Sequence, residues 1–295
     1  MKINIVGAGR VGQTIGRLLA DTKALEIGSV YNRTKLNSHN SVAFIGEGTP
    51  IDSLSDMGQA DLYMVTTSDN ALNEICHRMF ESHDFKKGSV VFHCSGVAPS
   101  LVFERAKVQG CYVASVHPVK SFAEPSLAIT NFNGTFCGVE GDEEALHLLE
   151  ECFQTIGGKV FRINTDKKAM YHAATVMACN NLVALMEAST SMYIDAGLDR
   201  SQALKVMEPI VRGTITNVFA LGAVPALTGP IARGDGGTIK KHIDALASDD
   251  GMLKGVYCSL GKWALELSRK QGCATNESLN DIQKQLNAID KDNKN

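Results

Sequence analysis

The chain has 295 residues, of which 44% are hydrophobic and 21% are charged, and its formal net charge is −3. These values are typical of a soluble globular protein with one large domain or two smaller ones. No basic run is longer than a pair, and no apolar stretch approaches the roughly 20 residues that span a bilayer, so we expect neither a nucleic-acid partner nor a membrane partner.

The N-terminus and the cysteines indicate a cytoplasmic protein. The chain enters a strand at once, with "MKINIV", so we expect no secretory signal. Its eight cysteines include no CxxC pair, which favours reduced, packed thiols. A zinc site at Cys76 and His77, or at His93 and Cys94, is the alternative, although neighbouring strand residues point to opposite faces. We therefore predict no metal.

The first segment, "KINIVGAGRVGQTIGRLLA", predicts a strand, a glycine turn and an amphipathic helix. Gly7, Gly9 and Gly12 have the GxGxxG spacing of a dinucleotide-binding Rossmann fold. Gly7 permits the tight turn, Gly9 lets a pyrophosphate approach the backbone, and Gly12 lets the helix pack on the strand. Backbone N–H groups at the start of the helix, around Arg10 and Val11, then bind the phosphates. The alternative is an empty structural Rossmann domain.

The second strand ends in "YNRTK", which favours NADP over NAD. An NAD site usually offers Asp or Glu about 20 residues after the glycines, whereas this chain offers Asn32, Arg33 and Thr34. A guanidinium such as that of Arg33 can hold a 2′-phosphate through two charge-assisted hydrogen bonds, and a carboxylate would repel it. Alternatively, Arg33 is a solvated turn residue.

Strands and helices continue to alternate up to residue 164. "DLYMVTTSDNAL", "GSVVFHCSG" and "YVASVHPV" predict strands that end in polar residues. Because ligands of open α/β sheets lie beyond the carboxyl ends of the strands, the residues expected at the cofactor are Thr66, Thr67, Ser95, Gly96 and His117. "NGTFCGVEGDEEALHLLEECFQTIGGKVFRIN" then predicts strand, helix and strand, which completes a nucleotide-binding domain over residues 1–164.

Residues 165–295 predict an all-helical domain, because the strand signals stop. "DKKAMYHAATVMACNNLVALMEASTSMYIDAG" can form one long helix that is apolar on nearly all sides and therefore central to its domain. At about 100° per residue, one stripe of this helix carries His172, Val176, Asn180, Val183 and Glu187. Burying the polar members unpaired would cost a few kcal/mol. Either they satisfy one another or a loop carbonyl, or they line a crevice that faces the nicotinamide.

A second polar segment, "ALTGPIARGDGGTIKKHI", lies between two predicted helices. In one interpretation it is a helix–helix loop in which Arg233 pairs with Asp235. In the other, it presents the Thr228 hydroxyl and the Arg233 guanidinium to an anionic substrate.

Five segments together resemble a known group of proteins: "GAGRVG", "HCSG", "ASVHPVKSF", "YHAATVMACNN" and "TGPIARGD". The group consists of Rossmann-like proteins described as NADP- or deazaflavin-dependent oxidoreductases, with a C-terminal domain of unknown function. It lies within the superfamily of phosphogluconate dehydrogenase, ketopantoate reductase and pyrroline-carboxylate reductase. The resemblance spans essentially the whole chain. It implies an α/β fold in which an N-terminal doubly wound Rossmann sheet precedes an all-helical C-terminal domain that often dimerises.

The resemblance carries over only part of a catalytic pattern. The β-hydroxyacid dehydrogenases have Lys-x-x-Asn-Asn on their first long C-terminal helix, where the lysine is the general acid or base. Asn180 and Asn181 match the two asparagines, but Met177 stands at the lysine position, and a thioether cannot transfer a proton. The nearby proton donors are then His172 and His117. "SVHPV" also resembles the His-Pro segment of prephenate dehydrogenases, where the histidine takes part in hydride chemistry.

These observations predict an NADP-dependent oxidoreductase that exchanges hydride with a small acidic C=O or C=N substrate at the domain interface. His172, or else His117, would donate the proton, and Asn180 would orient the substrate. The predicted substrate-binding residues are Asn181, Thr228 and Arg233. The alternatives are a non-catalytic NADP(H) sensor or structural dimer, which Met177 favours, and a deazaflavin-linked NADP reductase. The long apolar helix predicts burial in a homodimer.

Overall fold

The computed structural model of the protein describes residues 1–23, 25–246 and 251–287. The chain divides into two compact units, Met1–Asn181 and Leu182–Asn295. The sequence places a boundary before residue 165, where the strand signals end, whereas the compact units divide inside the long helix that follows. The first half of that helix therefore belongs to the first unit.

The described part of the first unit contains one sheet of eight strands: β1 (Lys2–Val6), β2 (Glu26–Tyr31), β3 (Thr49–Ile51), β4 (Leu62–Val65), β5 (Val90–His93), β6 (Tyr112–Pro118), β7 (Phe136–Gly141) and β8 (Lys159–Arg162). Their order in the sheet is β3-β2-β1-β4-β5-β6-β7-β8. Neighbouring strands are parallel except β6 and β7, which are antiparallel. The chain moves outward from β1 in both directions, so the topological switch point lies between β1 and β4. The predicted doubly wound α/β sheet is confirmed.

Helices cover both faces of this sheet: α1 (Arg10–Thr22), α2 (Lys35–Ile45), α3 (Asp69–Ser82), α4 (Glu104–Val108), α5 (Pro125–Thr130) and α6 (Glu143–Thr155). One core cluster contains Ile5 of β1 with Ile15 of α1. The other contains Tyr63 of β4 with Met79 of α3. Because both faces are covered, the central strands are continuous apolar runs, without the alternation of a half-exposed sheet.

Four cysteines of the first unit take part in this packing. The thiols of Cys76, Cys111, Cys137 and Cys152 are free and buried. Burial raises the pKa of Cys76 and of Cys137 to about 12, so both stay protonated near pH 7. They therefore act as small apolar side chains, as the sequence predicts.

The long helix α7 (Lys168–Asp195) leads into the second unit, whose remaining described helices are α8 (Arg200–Leu221), α9 (Ala223–Ala226), α10 (Pro230–Arg233), α11 (Gly236–Ala245), α12 (Met252–Gln271) and α13 (Asn276–Asn287). Its core joins Ile239 of α11, Leu265 of α12 and Ile282 of α13. The predicted all-helical C-terminal region is confirmed. None of the described helices has the length and hydropathy that a membrane crossing requires.

The sequence predicts that α7 is buried because it is apolar on nearly all sides. In the single chain, however, Met177 is 62% and Val183 71% exposed, and in α8 Ile210 is 64% and Phe219 86% exposed. Several exposed apolar side chains on one helix, as on α8, are typical of an interaction surface. The apolar composition of these helices is therefore not explained by contacts within one chain.

Candidate functional site

The glycine turn after β1 has the geometry that a bound diphosphate needs. Gly7 has a φ of +82°, in the left-handed region that favours glycine. A Cβ on Gly7 would collide with Thr67, and a Cβ on Gly12 would collide with Thr66 Oγ1. The nearest atom to a Cβ on Gly9, by contrast, would be 3.9 Å away. The first and third glycines therefore permit close packing, while the second leaves open space beside the backbone.

The N-terminus of α1 can bind an anion at this turn. Gly9 is the N-cap, no side chain caps the helix, and its first turn contains no acidic residue. The first N–H groups of a helix have no partner within the helix and carry the positive end of its dipole. Arg10 is exposed here, and Val11 is half-buried. The residues present therefore fit the pyrophosphate of a dinucleotide.

Among the residues predicted in the loop after β2, one cationic side chain is available to bind a ligand. The Asn32 amide donates hydrogen bonds to a carbonyl and a hydroxyl of α2, and the Thr34 hydroxyl caps α2 by accepting a backbone N–H. Lys35 Nζ lies 2.8 Å from Asp52 Oδ2. Arg33 is exposed, and none of the described residues forms an ion pair with it. Of the predicted residues here, Arg33 is the one whose side chain is free to hold a 2′-phosphate.

A cavity of about 390 Å³ lies beyond the carboxyl ends of β4, β5 and β6. All five residues predicted from these strand ends line it: Thr66, Thr67, Ser95, Gly96 and His117. Val11 of α1 also lines it, so the cavity continues from the glycine turn. Thr67 Oγ1 is buried and has no hydrogen-bond partner among the described residues. Because buried polar atoms are nearly always paired, this hydroxyl fits a bound ligand or water.

Two histidines meet at Gly96. A Cβ on this glycine would lie 2.8 Å from His117 Nε2 and 2.8 Å from His172 Nε2. The ring centroids of His117 and His172 are 5.6 Å apart, with an interplanar angle of 73°. The absence of a side chain at Gly96 thus lets both imidazoles approach the same backbone segment. The structure brings together the two histidines that the sequence proposes as proton donors.

Sequence reasoning missed a third member of this cluster, Tyr171. Its hydroxyl lies 2.9 Å from His117 Nδ1, and burial raises its pKa to about 12, so the phenol stays protonated. Burial, the neighbouring His172 and the charge of Lys168 lower the pKa of His117 to about 4. Near pH 7, His117 is therefore a neutral imidazole hydrogen-bonded to a neutral phenol.

His93 orders the loop that carries Ser95 and Gly96. It is fully buried, and its Nδ1 accepts the backbone N–H of Ser95 at 3.1 Å, while Nε2 lies 3.2 Å from the carbonyl of Pro99. Only the Nε2–H tautomer satisfies both contacts. Burial lowers the pKa of His93 to about 4, which keeps it neutral. Both nitrogens are therefore used in holding the loop, and the Ser95 hydroxyl accepts two further backbone N–H groups there.

A buried ion pair lies beside the histidine cluster. Lys168 Nζ is 3.0 Å from Glu140 Oε1 and also donates to the hydroxyl of Ser115. The carboxylate of Glu140 accepts the backbone N–H and the hydroxyl of Ser100, at 2.8 and 2.7 Å, and the hydroxyl of Thr165 at 3.1 Å. Burial alone would raise the pKa of Glu140, but Lys168 and Ser100 outweigh it, and the pKa is lowered. Glu140 is therefore ionised and fully hydrogen-bonded.

Of the remaining predicted site residues, Asn180 and Asn181 lie further along α7, and Thr228 and Arg233 belong to the second unit. Asn180 and Asn181 are exposed on α7, and Asn180 is eight residues, roughly 12 Å along the helix, from His172. Thr228 lines an apolar cavity of about 410 Å³ in the second unit. Arg233 is exposed at the end of α10. Their roles in substrate binding stay predictions.

Comparison with known families confirms the combination of domains that the sequence resemblance implies. Residues 1–118 match a Rossmann-like domain, and residues 135–264 match the family described as Domain of unknown function (DUF2520). No curated protein matches the sequence.

Several solved structures share the fold over most of the chain. Protein TM1727 from Thermotoga maritima is 26% identical, with a TM-score of 0.70 over 91% of this chain and 99% of that chain. BF3122 from Bacteroides fragilis, provisionally named an NADP oxidoreductase, is 21% identical, with a TM-score of 0.70 over 92% and 97% of the two chains. A pyrroline-5-carboxylate reductase from Coxiella burnetii is 16% identical, with a TM-score of 0.56 over 91% and 97%.

Proposed function

We propose that this chain, which joins a Rossmann-like domain to a DUF2520 domain, is an NADP-dependent oxidoreductase that transfers hydride to or from a small substrate with a C=O or C=N group. The observation that supports this most directly is that His117 and His172 both approach Gly96, and that His117 and Gly96 line a cavity beyond the strand ends. Ligands of open α/β sheets bind at that position. The names of two structural neighbours, an NADP oxidoreductase and a pyrroline-5-carboxylate reductase, agree with this class of reaction.

The residues proposed to hold the dinucleotide lie in the first unit. The turn from Gly7 to Gly12 and the first N–H groups of α1 would bind the pyrophosphate. Arg33 would bind the 2′-phosphate. Thr67, with its unpartnered hydroxyl, would lie at the nicotinamide end. The nicotinamide supplies the hydride chemistry, and the protein binds, orients and provides the proton.

The two histidines suit different roles. A proton donor works best when its pKa is near the working pH, whereas the pKa of His117 is lowered to about 4. A neutral imidazole donates a hydrogen bond and so polarises a C=O or C=N group without giving up its proton. We therefore assign proton donation to His172 and polarisation of the substrate to His117.

We also propose that the protein is a homodimer. The exposed apolar residues of α8 include Ile210 and Phe219, and Glu208 and Arg212 on the same helix form an ion pair with each other. An apolar surface with few unpaired charges is typical of an obligate self-association interface. A second copy of the chain is the proposed occupant, since it would bury the same surface twice.

One experiment separates the enzyme from a non-catalytic sensor. Pure protein is mixed with NADPH and a panel of small oxo acids and imines, and the absorbance of NADPH is followed. We expect substrate-dependent oxidation that His172→Asn and His117→Asn each reduce by about 100-fold or more, while the exposed control His147→Asn has no effect. Binding of NADPH without turnover on any substrate would favour the sensor. If both site variants keep the turnover of the wild type, the assignment of His117 and His172 to the site is wrong.

A further inference from the structure

We propose that Tyr171 is a positioning residue: it fixes His117 as the tautomer with its proton on Nε2, directed at the cavity, and so adapts the site to a substrate that accepts a hydrogen bond. Such a substrate is a carbonyl or a neutral imine. An iminium ion has no lone pair and cannot accept this bond. The substrate class rests on the proposed function, whereas the state of His117 does not.

The register of the sheet explains how Tyr171 reaches His117. On the antiparallel pair of β6 and β7, His117 lies opposite Gly138. Gly138 has no side chain, and a Cβ there would lie 2.9 Å from the Tyr171 hydroxyl. The hydroxyl therefore occupies the space that a side chain on β7 would take, and from there it contacts Nδ1 at 2.9 Å.

The hydrogen bond between Tyr171 and His117 has one reasonable direction. Among the described residues, His117 Nδ1 is the hydrogen-bond partner found for the Tyr171 hydroxyl. If Nδ1 carried the proton and donated it, the phenolic hydrogen would have no acceptor in a half-buried position, which is unfavourable. The phenol therefore donates to Nδ1. A neutral imidazole that accepts at Nδ1 carries its proton on Nε2.

The Nε2 edge is the part of His117 that remains for a ligand. It lies beside Gly96, and both residues line the same cavity. No described residue forms a hydrogen bond with His117 Nε2. The charged and titratable groups around the ring are Lys168 and His172 on α7, which disfavour its protonation, and Asp69 on α3, which favours it more weakly. The net result is a neutral N–H donor that faces the cavity.

The tautomer can be measured directly in the intact protein. Long-range ¹H–¹⁵N correlation spectra of ¹⁵N-histidine protein at pH 7.5 distinguish a protonated from an unprotonated ring nitrogen, and comparison with His117→Asn assigns the signal. We expect His117 to carry its proton on Nε2. We expect Tyr171→Phe to shift the ratio of tautomers by roughly tenfold toward Nδ1–H, because it removes one hydrogen bond.

Two further variants make this test specific. Gly138→Ala leaves the phenol in place but crowds its hydroxyl, and it should change the tautomer ratio in the same direction as Tyr171→Phe. Tyr193→Phe removes a hydroxyl from the same helix α7 and should leave His117 unchanged. A wild-type His117 protonated on Nδ1, or a ratio unaffected by Tyr171→Phe in a folded protein, would overturn the proposal.

Turnover tests the substrate class separately. With a carbonyl substrate, Tyr171→Phe should lower kcat by roughly tenfold and leave the affinity for NADPH unchanged, because the residue acts through His117. If NMR shows the Nε2–H tautomer while permanently charged iminium substrates are reduced faster than carbonyls, the assigned substrate class is wrong and the positioning role stands. If no substrate is turned over, the proposed function fails while the NMR result still decides the role of Tyr171.

Discussion

Lys168 and Glu140 form an ion pair almost without solvent contact: Nζ lies 3.0 Å from Oε1, and the side chains are 1% and 2% exposed. Lys168 is the first residue of α7, and Glu140 lies on β7. Gly138 lies two residues before Glu140 on the same face of β7, and Tyr171 lies three residues after Lys168 on α7. A Cβ on Gly138 would be 2.9 Å from the Tyr171 hydroxyl. The ion pair therefore fixes the start of α7 on the sheet in the register that brings Tyr171 to His117.

The first prediction concerns the stability of this pair. Lys168→Met leaves an ionised carboxylate buried without its cation, so we expect it to lower the free energy of unfolding by about 3–5 kcal/mol. Lys168→Met combined with Glu140→Gln leaves no buried charge and should recover most of that loss. Urea denaturation of the wild type, of the two single variants Lys168→Met and Glu140→Gln, and of the double variant measures the cycle. Arg17→Met, at the exposed pair with Asp21, should cost less than about 1 kcal/mol. A similarly small effect at Lys168 would contradict the prediction.

The second prediction concerns acid stability. His93 and His117 have folded pKa values of about 4, below the ordinary value of 6.5. The unfolded chain therefore binds more protons than the folded one between pH 6.5 and 4, and the free energy of unfolding falls as the pH falls through this window. The difference corresponds to roughly 3 kcal/mol for each histidine at most. Stability is constant with respect to these two groups above pH 6.5.

Denaturation midpoints between pH 7 and 4 check this expectation. His117→Asn should reduce the dependence of stability on pH in that window, whereas His147→Asn, which changes an exposed residue of α6, should leave it unaltered. A wild-type stability that stays level from pH 6.5 to 4 would show that neither histidine is held neutral by the fold.

The third prediction concerns Gly96. Its φ is not in the left-handed region, so glycine is needed here for space: a Cβ would lie 2.8 Å from Nε2 of both His117 and His172. Gly96→Ala should displace both rings and lower turnover by about 100-fold, as misplacement of reacting groups by about 1 Å does. NADPH oxidation and NADPH affinity are measured together, and the affinity should change less than the rate. In Gly58→Ala, the nearest atom to the new Cβ is 3.8 Å away, so this control should behave like the wild type.

The parts of the fold predicted correctly from the sequence are those with local signals. The glycine turn with its flanking strand and helix is specified within about 20 residues. The edge strand β3 (Thr49–Ile51) was missed because it has three residues, one of them Pro50. A proline in a segment argues against a strand. At the edge of a sheet, however, it removes no hydrogen bond from the sheet interior, so an edge strand can contain it.

From the sequence, the site could be predicted only for residues that directly follow the ends of strands. His117 follows from its place at the end of β6, but its partner Tyr171 is 54 residues later in the chain. That contact depends on the register of β6 with β7 and on the anchoring of α7 by Lys168, neither of which has a local signal. Lys168 itself looks like one of two adjacent surface lysines in the sequence. Its burial depends on Glu140, which sequence reasoning did not pair with it.

The fourth prediction concerns the preference for NADPH over NADH. Arg33→Gln should weaken NADPH binding by about 10- to 100-fold, because it removes charge-assisted hydrogen bonds to the 2′-phosphate, and it should change NADH binding little. Isothermal titration with both nucleotides provides the measurement. Lys35→Gln is the matched control, since Lys35 is already paired with Asp52, and it should weaken NADPH binding less. Equal losses for NADPH and NADH in Arg33→Gln would mean that Arg33 does not contact the 2′-phosphate.

The fifth prediction concerns self-association through α8. Phe219 is 86% exposed in the single chain, and in the proposed homodimer a charge there would be buried without a partner, which costs several kcal/mol. Phe219→Glu should therefore shift the protein from dimer to monomer in light scattering coupled to size-exclusion chromatography. Val108→Glu on α4 is the matched control, because Val108 is equally exposed, at 86%, and lies in the first unit. If the wild type is a monomer at all concentrations, or if both variants dissociate alike, α8 is not the interface, and its apolar face must have a different partner.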